Sequence, residues 1–272
     1  KLLPNYEGND IVELQSIFTK KAPSTKDEFE TTAEYEKKIA SIVTYDIYAF
    51  KLDPYSSYSS GLTVHSYDAD TKKIKIAIKT KPLSRYDFED CRSSMIIKNI
   101  DHGITSSYVG TNAFGAKVLV KTVRKTEYGI ALTNQNEFGI SDYDGHGEIY
   151  KKTGLTDSFL PLKGERRLDY EFSMEPNEAK TMKDNIGILI LCKPILYKLK
   201  SDHWDHRKDR GEGYYFAFEK LDGSSATLDR PVDLIYDKKF INVEALAIWI
   251  YNIKSGEILL KNNLEIPHQI GH

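Results

Sequence analysis

The sequence predicts an α+β chain that is mainly β. Its antiparallel sheets should be sandwich-like or strongly twisted, with a helical N-terminal arm and a few short helices. Three observations predict this. The apolar residues recur near every fourth position up to Thr44 and near every second position after it. Lys73-Ile74-Lys75-Ile76-Ala77-Ile78-Lys79 alternates strictly, which sends its isoleucines to a core and most of its lysines to water, as in an antiparallel sheet wetted on one side. Turn-forming residues then separate one alternating run from the next.

In chain order, Asn9 or Asp10 can cap a helix in which Ile11, Leu14 and Phe18 share a face, ending near Lys20 before Pro23. This arm is too short to stand alone and must dock elsewhere. A second helix begins at Thr31, whose hydroxyl caps while Glu34 reaches back, and Tyr35, Ile39 and Ile42 line its inner side. Tyr67-Asp68-Ala69-Asp70-Thr71 then turns Leu62–Ser66 back onto the alternating isoleucine strand. Lys117–Val123 and Tyr128–Thr133 read as a strand pair around Arg124 to Glu127, and Leu168, Tyr170 and Phe172 alternate with charged residues. Proline in a first turn favours a helix over Pro176–Asn185, with Ala179 and Met182 inward. The apolar stretch Ile186–Leu199 should break at Pro194. Gly213–Leu221, Val243–Tyr251 and Glu257–Lys261 complete the strands, the last two joined by Asn252-Ile253-Lys254-Ser255-Gly256. Residues 1–26 form the arm and 27–272 one β-rich domain, with the polar region 153–167 as the candidate lobe boundary.

With 272 residues, 40% of them hydrophobic and a mean hydropathy of −0.47, the chain has enough apolar surface for a core and too much for disorder. Thirty-eight cationic side chains against forty anionic ones leave a net charge of −2, which argues against nucleic acid as a main partner. The longest apolar runs, such as Ile186–Cys192, fall far short of the ~20 residues that span a bilayer. Lys1 opens the chain, which a cleaved export signal or a trimmed tag would each explain. Cys91 and Cys192 allow a single disulfide, and the apolar setting of Cys192 equally suits a buried free thiol.

Several motifs have chemical readings. Gly110 to Lys117 resembles a phosphate-binding loop, but Ala116 separates the second glycine from the lysine and a strand follows, so tight-turn glycines are the better reading. Ser141-Asp142-Tyr143-Asp144-Gly145-His146 spaces oxygen ligands like the start of a calcium loop, yet Thr153 stands where the closing acid should be. His203-Trp204-Asp205-His206 could supply part of a zinc site if His146 or an acid completed it. Tyrosine is abundant at 18 residues. Tyr55, Tyr58, Tyr67, Tyr143, Tyr214 and Tyr215 fall in or beside expected loops and strand ends, where rings can grip a partner. No serine elbow, His-Glu-X-X-His pattern or cysteine in a catalytic context occurs.

The run Asp27-Glu28-Phe29-Glu30-Thr31-Thr32-Ala33-Glu34-Tyr35-Glu36-Lys37-Lys38-Ile39, followed by Tyr67-Asp68-Ala69-Asp70 and Asn112-Ala113-Phe114-Gly115, resembles a pattern of uncharacterised exported bacterial envelope proteins, some of them lipoproteins. It spans roughly the first half, and Glu178-Ala179-Lys180 adds a similar helical setting in the second. The resemblance implies a periplasmic or envelope location and a β-rich domain, and transfers no active site. A lipid-bearing cysteine would have to lie upstream, since neither Cys91 nor Cys192 is near the start.

The expected function is a non-enzymatic envelope module. It would bind an envelope protein or cell-wall polysaccharide through a sheet face and the loops bearing Tyr55, Tyr58, Tyr143, Trp204 and Tyr214, without a cofactor. The alternative is a metal-dependent hydrolase in which Asp142, Asp144, His146, His203 and His206 hold calcium or zinc and activate water.

Overall fold

The computed structural model describes residues 1–21, 26–42, 46–52, 62–82, 93–111, 115–132, 167–199, 213–227 and 229–264. Asp10 caps helix α1 (Ile11–Lys20), its Oδ1 accepting from the Val12 N–H at 2.9 Å. Ile11, Leu14 and Phe18 on the inner side are buried. Helix α2 (Thr32–Ile42) opens with a reciprocal capping box: the Thr31 N–H donates to Glu34 at 2.9 Å and the Glu34 N–H donates to the Thr31 hydroxyl at 3.2 Å. The Thr31 hydroxyl, which donates to the Glu34 carboxylate at 2.7 Å, and then the Thr31 N–H hold the Glu34 carboxyl below its ordinary range.

One sheet runs in the order β1 (Tyr48–Lys51), β8 (Ile186–Pro194), β12 (Val232–Asn252), β6 (Lys117–Leu132), β5 (Ser93–Thr111), β4 (Lys81–Pro82), with β11 (Ala217–Ser224) and β13 (Ile258–Asn263) also paired to β12. A second sheet has β3 (Lys73–Lys79) between β2 (Leu62–Asp68) and β7 (Arg167–Ser173), and a two-stranded ribbon joins β9 (Tyr197–Leu199) to β10 (Gly213–Tyr215). Helix α3 (Pro176–Met182) and a 3-10 turn over Lys183–Asn185 lead into β8. Among the described residues no helix is long and apolar enough to cross a membrane.

The alternating run forms β3 as its pattern requires, with Ile74, Ile76 and Ile78 all buried. These side chains share one hydrophobic cluster with Phe18 of α1, Phe50 of β1, Ile130 of β6, Ile188 and Ile190 of β8 and Ile248 of β12. The Asp68 carboxylate closes the β2–β3 turn by accepting from the Asp70 and Thr71 N–H groups, and Lys72 takes a left-handed φ of 52°.

Three expectations need correction. Arg124 to Glu127 does not form a turn; β6 runs unbroken from Lys117 to Leu132 and pairs with β5. The charged residues tolerate mid-sheet positions because each meets a neighbouring strand: Arg124 pairs with Asp237, Lys125 with Asp101, and the buried Glu127 lies 3.9 Å from Lys238. Nor does β12 begin at Val243; it extends back to Val232 through the charged Asp233-Leu234-Ile235-Tyr236-Asp237-Lys238-Lys239. Finally, β6 and β12 pair in parallel, so the large sheet is mixed. The long connection between them, which holds β7, α3, β8 and β11, supplies the crossover that a parallel pair needs.

Gly129 allows the close packing at the centre of this sheet. A Cβ there would meet the Met95 carbonyl oxygen at 2.5 Å and the Phe240 ring at 2.9 Å. Cys192 is a free thiol, fully buried in β8, and burial pushes its pKa far up. Thiolate is the reacting species, so alkylation at Cys192 in the native protein should be undetectable by peptide mass mapping and complete in denaturant. Rapid native labelling would contradict this packing.

Candidate binding surface

The longest strands, β5, β6 and β12, carry the sheet beyond the region where helices and the second sheet cover it. Cross-strand register assigns each side chain to a face, since directly opposed residues point the same way. One face, here the core side, includes Met95, Ile130, Ile241 and Ala217. The other, outer face includes Ile96, Ala131, Phe240 and Phe218, a small cluster in which the two phenylalanine rings stack at 5.4 Å.

Beyond these clusters the two faces differ. On the core side the rows are polar and internally paired. Arg124 grips Asp237 bidentately, Nε to Oδ2 at 2.5 Å and Nη2 to Oδ1 at 2.9 Å, and so holds the Asp237 carboxyl below its ordinary range. His102 Nε2 and the Thr126 hydroxyl lie 2.8 Å apart, and Lys239 pairs with Glu219 at 2.8 Å. A hydrogen bond to Asp233, followed by desolvation, raises the Tyr108 phenol pKa. Nearly every charge on this side has a partner within reach.

The outer face is apolar at its far end. Register aligns Ile104 with Val123 and Leu234, Ser107 with Lys121 and Val232, Val109 with Leu119, and Thr111 with Lys117. Ile104, Val109 and Leu119 are 58%, 61% and 55% exposed, while Val123, Val232 and Leu234 are half-buried beside them. Six aliphatic side chains thus share this end of the face around Lys121, which stands in the row between Leu119 and Val123. Lys117 and Lys121 flank the Val109–Leu119 row, both exposed, and among the described residues neither forms an ion pair. Contiguous apolar surface of this kind on a protein commonly marks a contact site.

The strand that borders the patch is also open. Among the described residues, β4 covers only Ser93 and Ser94 of β5, leaving the rest of that edge unpaired. Register shifts between Ile96 and Lys98, Asp101 and Ile104, and Ile104 and Ser106 kink the first part of the edge, a common way of blunting it. From Ser106 to Thr111 the ladder with Lys117–Thr122 is regular, and Ser106-Ser107-Tyr108-Val109-Gly110-Thr111 carries no charge and no proline. Among the described residues no strand pairs with this segment.

A separate cavity of about 630 Å³ opens where the N-terminus of α1 meets β1 and β5. Ile11, Leu52, Ile97 and Ile253 supply its apolar lining, and Glu7, Lys51, Asp10 and Lys98 its charges. The first β5 bulge puts the consecutive residues Ile97 and Lys98 on the same cavity wall. Its charges answer one another, Lys51 with Glu7 at 2.5 Å and Lys98 with Asp10 at 3.9 Å, so no unmatched charge selects a ligand.

Of the residues expected to bind, Tyr55, Tyr58, Tyr143 and Trp204 lie outside the described residues, as do Asp142, Asp144, His146, His203 and His206. Tyr214 lies in β10 opposite Lys198. Tyr67, expected in a turn, is half-buried at the end of β2, and its hydroxyl donates to the Met174 carbonyl at 3.0 Å. Of the Gly110–Lys117 glycines, Gly110 lies within β5 opposite Val118, and Gly115, at φ +80°, stands ahead of β6. The aliphatic patch was not anticipated. Its signal was present in Val118-Leu119-Val120, which is apolar at three successive positions and therefore greases both faces of a strand whose flanking residues are lysines. Comparison of the chain with protein-family models, with curated proteins and with solved structures finds no match.

Proposed function

We propose that the chain is a non-enzymatic binding module of the bacterial envelope that docks a protein on the outer face of its large sheet. The observation that carries this reading is the exposure of Ile104, Val109 and Leu119 on one face, with Val109 and Leu119 in a row between Lys117 and Lys121, which form no ion pair among the described residues. A protein suits the patch better than a cell-wall polysaccharide. Sugars stack on aromatic rings, whereas these contact residues are aliphatic and the nearest outer-face ring among the described residues, Tyr236, has the Lys238 ammonium over it at 5.9 Å. The envelope placement rests on the sequence resemblance alone.

The test is site-specific photo-crosslinking in cells that express the protein. A benzophenone residue at Leu119 should yield a discrete protein adduct, and the same residue at exposed Glu178 on α3 should not. No adduct from Leu119, or the same set from both positions, would remove the proposal.

A further inference from the structure

We infer that the partner joins β5 as an added strand along Ser106–Thr111, and that the joining segment carries an apolar residue with a carboxylate two positions to either side. This rests on the docking reading above and specifies its mode and chemistry.

Folded proteins blunt exposed strand edges with charge, proline or bulges because an unpaired row of N–H and C=O groups invites another chain. Here the bulges stop at Ser106, and the six uncharged residues after them present a regular ladder. Strand addition gives affinity through that ladder and specificity through alternate side chains.

An added strand would also meet side chains that suit particular residues. It would lie about 4.8 Å from β5 and directly beside three outer-face rows. In the middle row, Leu119 and Val109 offer an aliphatic surface to an apolar side chain. In the rows on either side, Lys121 stands behind Ser107 and Lys117 behind Thr111. Serine and threonine are short, so each lysine stem can lean across β5 and present its ammonium to the next strand. With no carboxylate among the described residues of the patch to neutralise them, these two cations select an acid in each outer row. The pattern acid, any, apolar, any, acid reads the same in both chain directions, so it holds for parallel and antiparallel addition alike.

The probe is the peptide Gly-Gly-Thr-Glu-Thr-Val-Thr-Glu-Thr-amide with fluorescein on its N-terminal amine, titrated with the full chain at low salt and followed by anisotropy. Its counterpart has lysine in place of both glutamates. The expected result is saturable binding of the acidic peptide, at least tenfold tighter than the lysine peptide, with the preference reversed in a Lys117→Glu/Lys121→Glu double variant. Both positions are exposed on the sheet surface, so this variant should fold. Methylating the backbone nitrogens along one edge of the peptide should abolish binding, while methylating those along the other should leave it intact. Absence of saturation, equal affinity for both peptides, an unreversed preference or equal effects of the two methylation patterns would each overturn strand addition. If the peptide fails while the Leu119 cross-link persists, the partner sits on the face without extending the sheet. If both fail, the docking reading falls as well.

Discussion

Replacing Phe18 with alanine is expected to destabilise the protein by about 3–5 kcal/mol, the usual cost of deleting a buried phenylalanine ring. Phe18 is 1% exposed, meets Tyr48 of β1 edge-on at 5.9 Å and packs against Phe216 at 5.4 Å. It therefore ties α1 both to the edge of the large sheet and to the residue between β10 and β11. A ten-residue helix is marginal in isolation, so most of its order comes from the face that Ile11, Leu14 and Phe18 bury. Urea unfolding of Phe18→Ala should show a lower midpoint with an unchanged slope, while Phe18→Leu should cost less. Ile17, 38% exposed on the same helix, supplies the control, and its alanine variant should stay within about 0.5 kcal/mol of the parent. A loss below about 1 kcal/mol for Phe18→Ala would mean that the arm does not depend on this contact.

That helix was readable in advance because its cap, its period and its stop signal agree. Asp10 caps it, apolar residues recur at positions 11, 14 and 18, and the helix ends at Lys20 ahead of Pro23. The same agreement made the Thr31 capping box and the β2–β3 hairpin legible. The charged strand interiors were not. Read alone, Arg124-Lys125-Thr126-Glu127 and Asp237-Lys238-Lys239 look like solvated turns, because local sequence does not contain the opposite charge that satisfies them. That partner lies on another strand, 113 positions away for Arg124 and Asp237. Register is a tertiary quantity, and it turns two apparent breaks into the middle of β6 and β12. The candidate surface was hidden for the same reason: its six aliphatic residues come from three strands and become neighbours only when β6 pairs with β5 on one side and β12 on the other. The expected tyrosine-bearing loops and histidine ligands, Tyr214 excepted, fall outside the described residues.

Stability is expected to fall between about pH 10 and pH 12, and Tyr251→Phe should flatten that fall. Tyr251 is fully buried, its ring lies against Gly187, where an added Cβ would come within 2.5 Å of ring atoms, and its hydroxyl donates to the Tyr6 carbonyl at 2.7 Å. Burial, and to a smaller degree the negative charge of Glu7 and then Tyr6, pushes the phenol pKa up to about 12. The sign follows from where the proton is held more tightly. Below the ordinary tyrosine pKa of about 10 both folded and unfolded chains keep the phenol neutral, so the stabilisation is fully present. Above it the unfolded chain loses the proton first, and the folded state loses up to about 2–3 kcal/mol by the time the pH reaches the folded value. Lys72 and Lys239, whose pKa values are raised by Glu175 and Glu219, lose stability in the same direction, so the parent curve alone does not isolate Tyr251. The difference between parent and Tyr251→Phe does. At neutral pH the phenylalanine variant should be weaker by about 0.5–1.5 kcal/mol, because the hydrogen bond to the Tyr6 carbonyl is gone while the ring still packs over Gly187. As the pH rises past 10 that deficit should shrink and then reverse, since the variant has no phenol to ionise in the unfolded chain. Urea midpoints for both proteins from pH 8 to pH 12 decide the matter, and parallel curves across that range would show that this buried phenol is not held neutral by the fold.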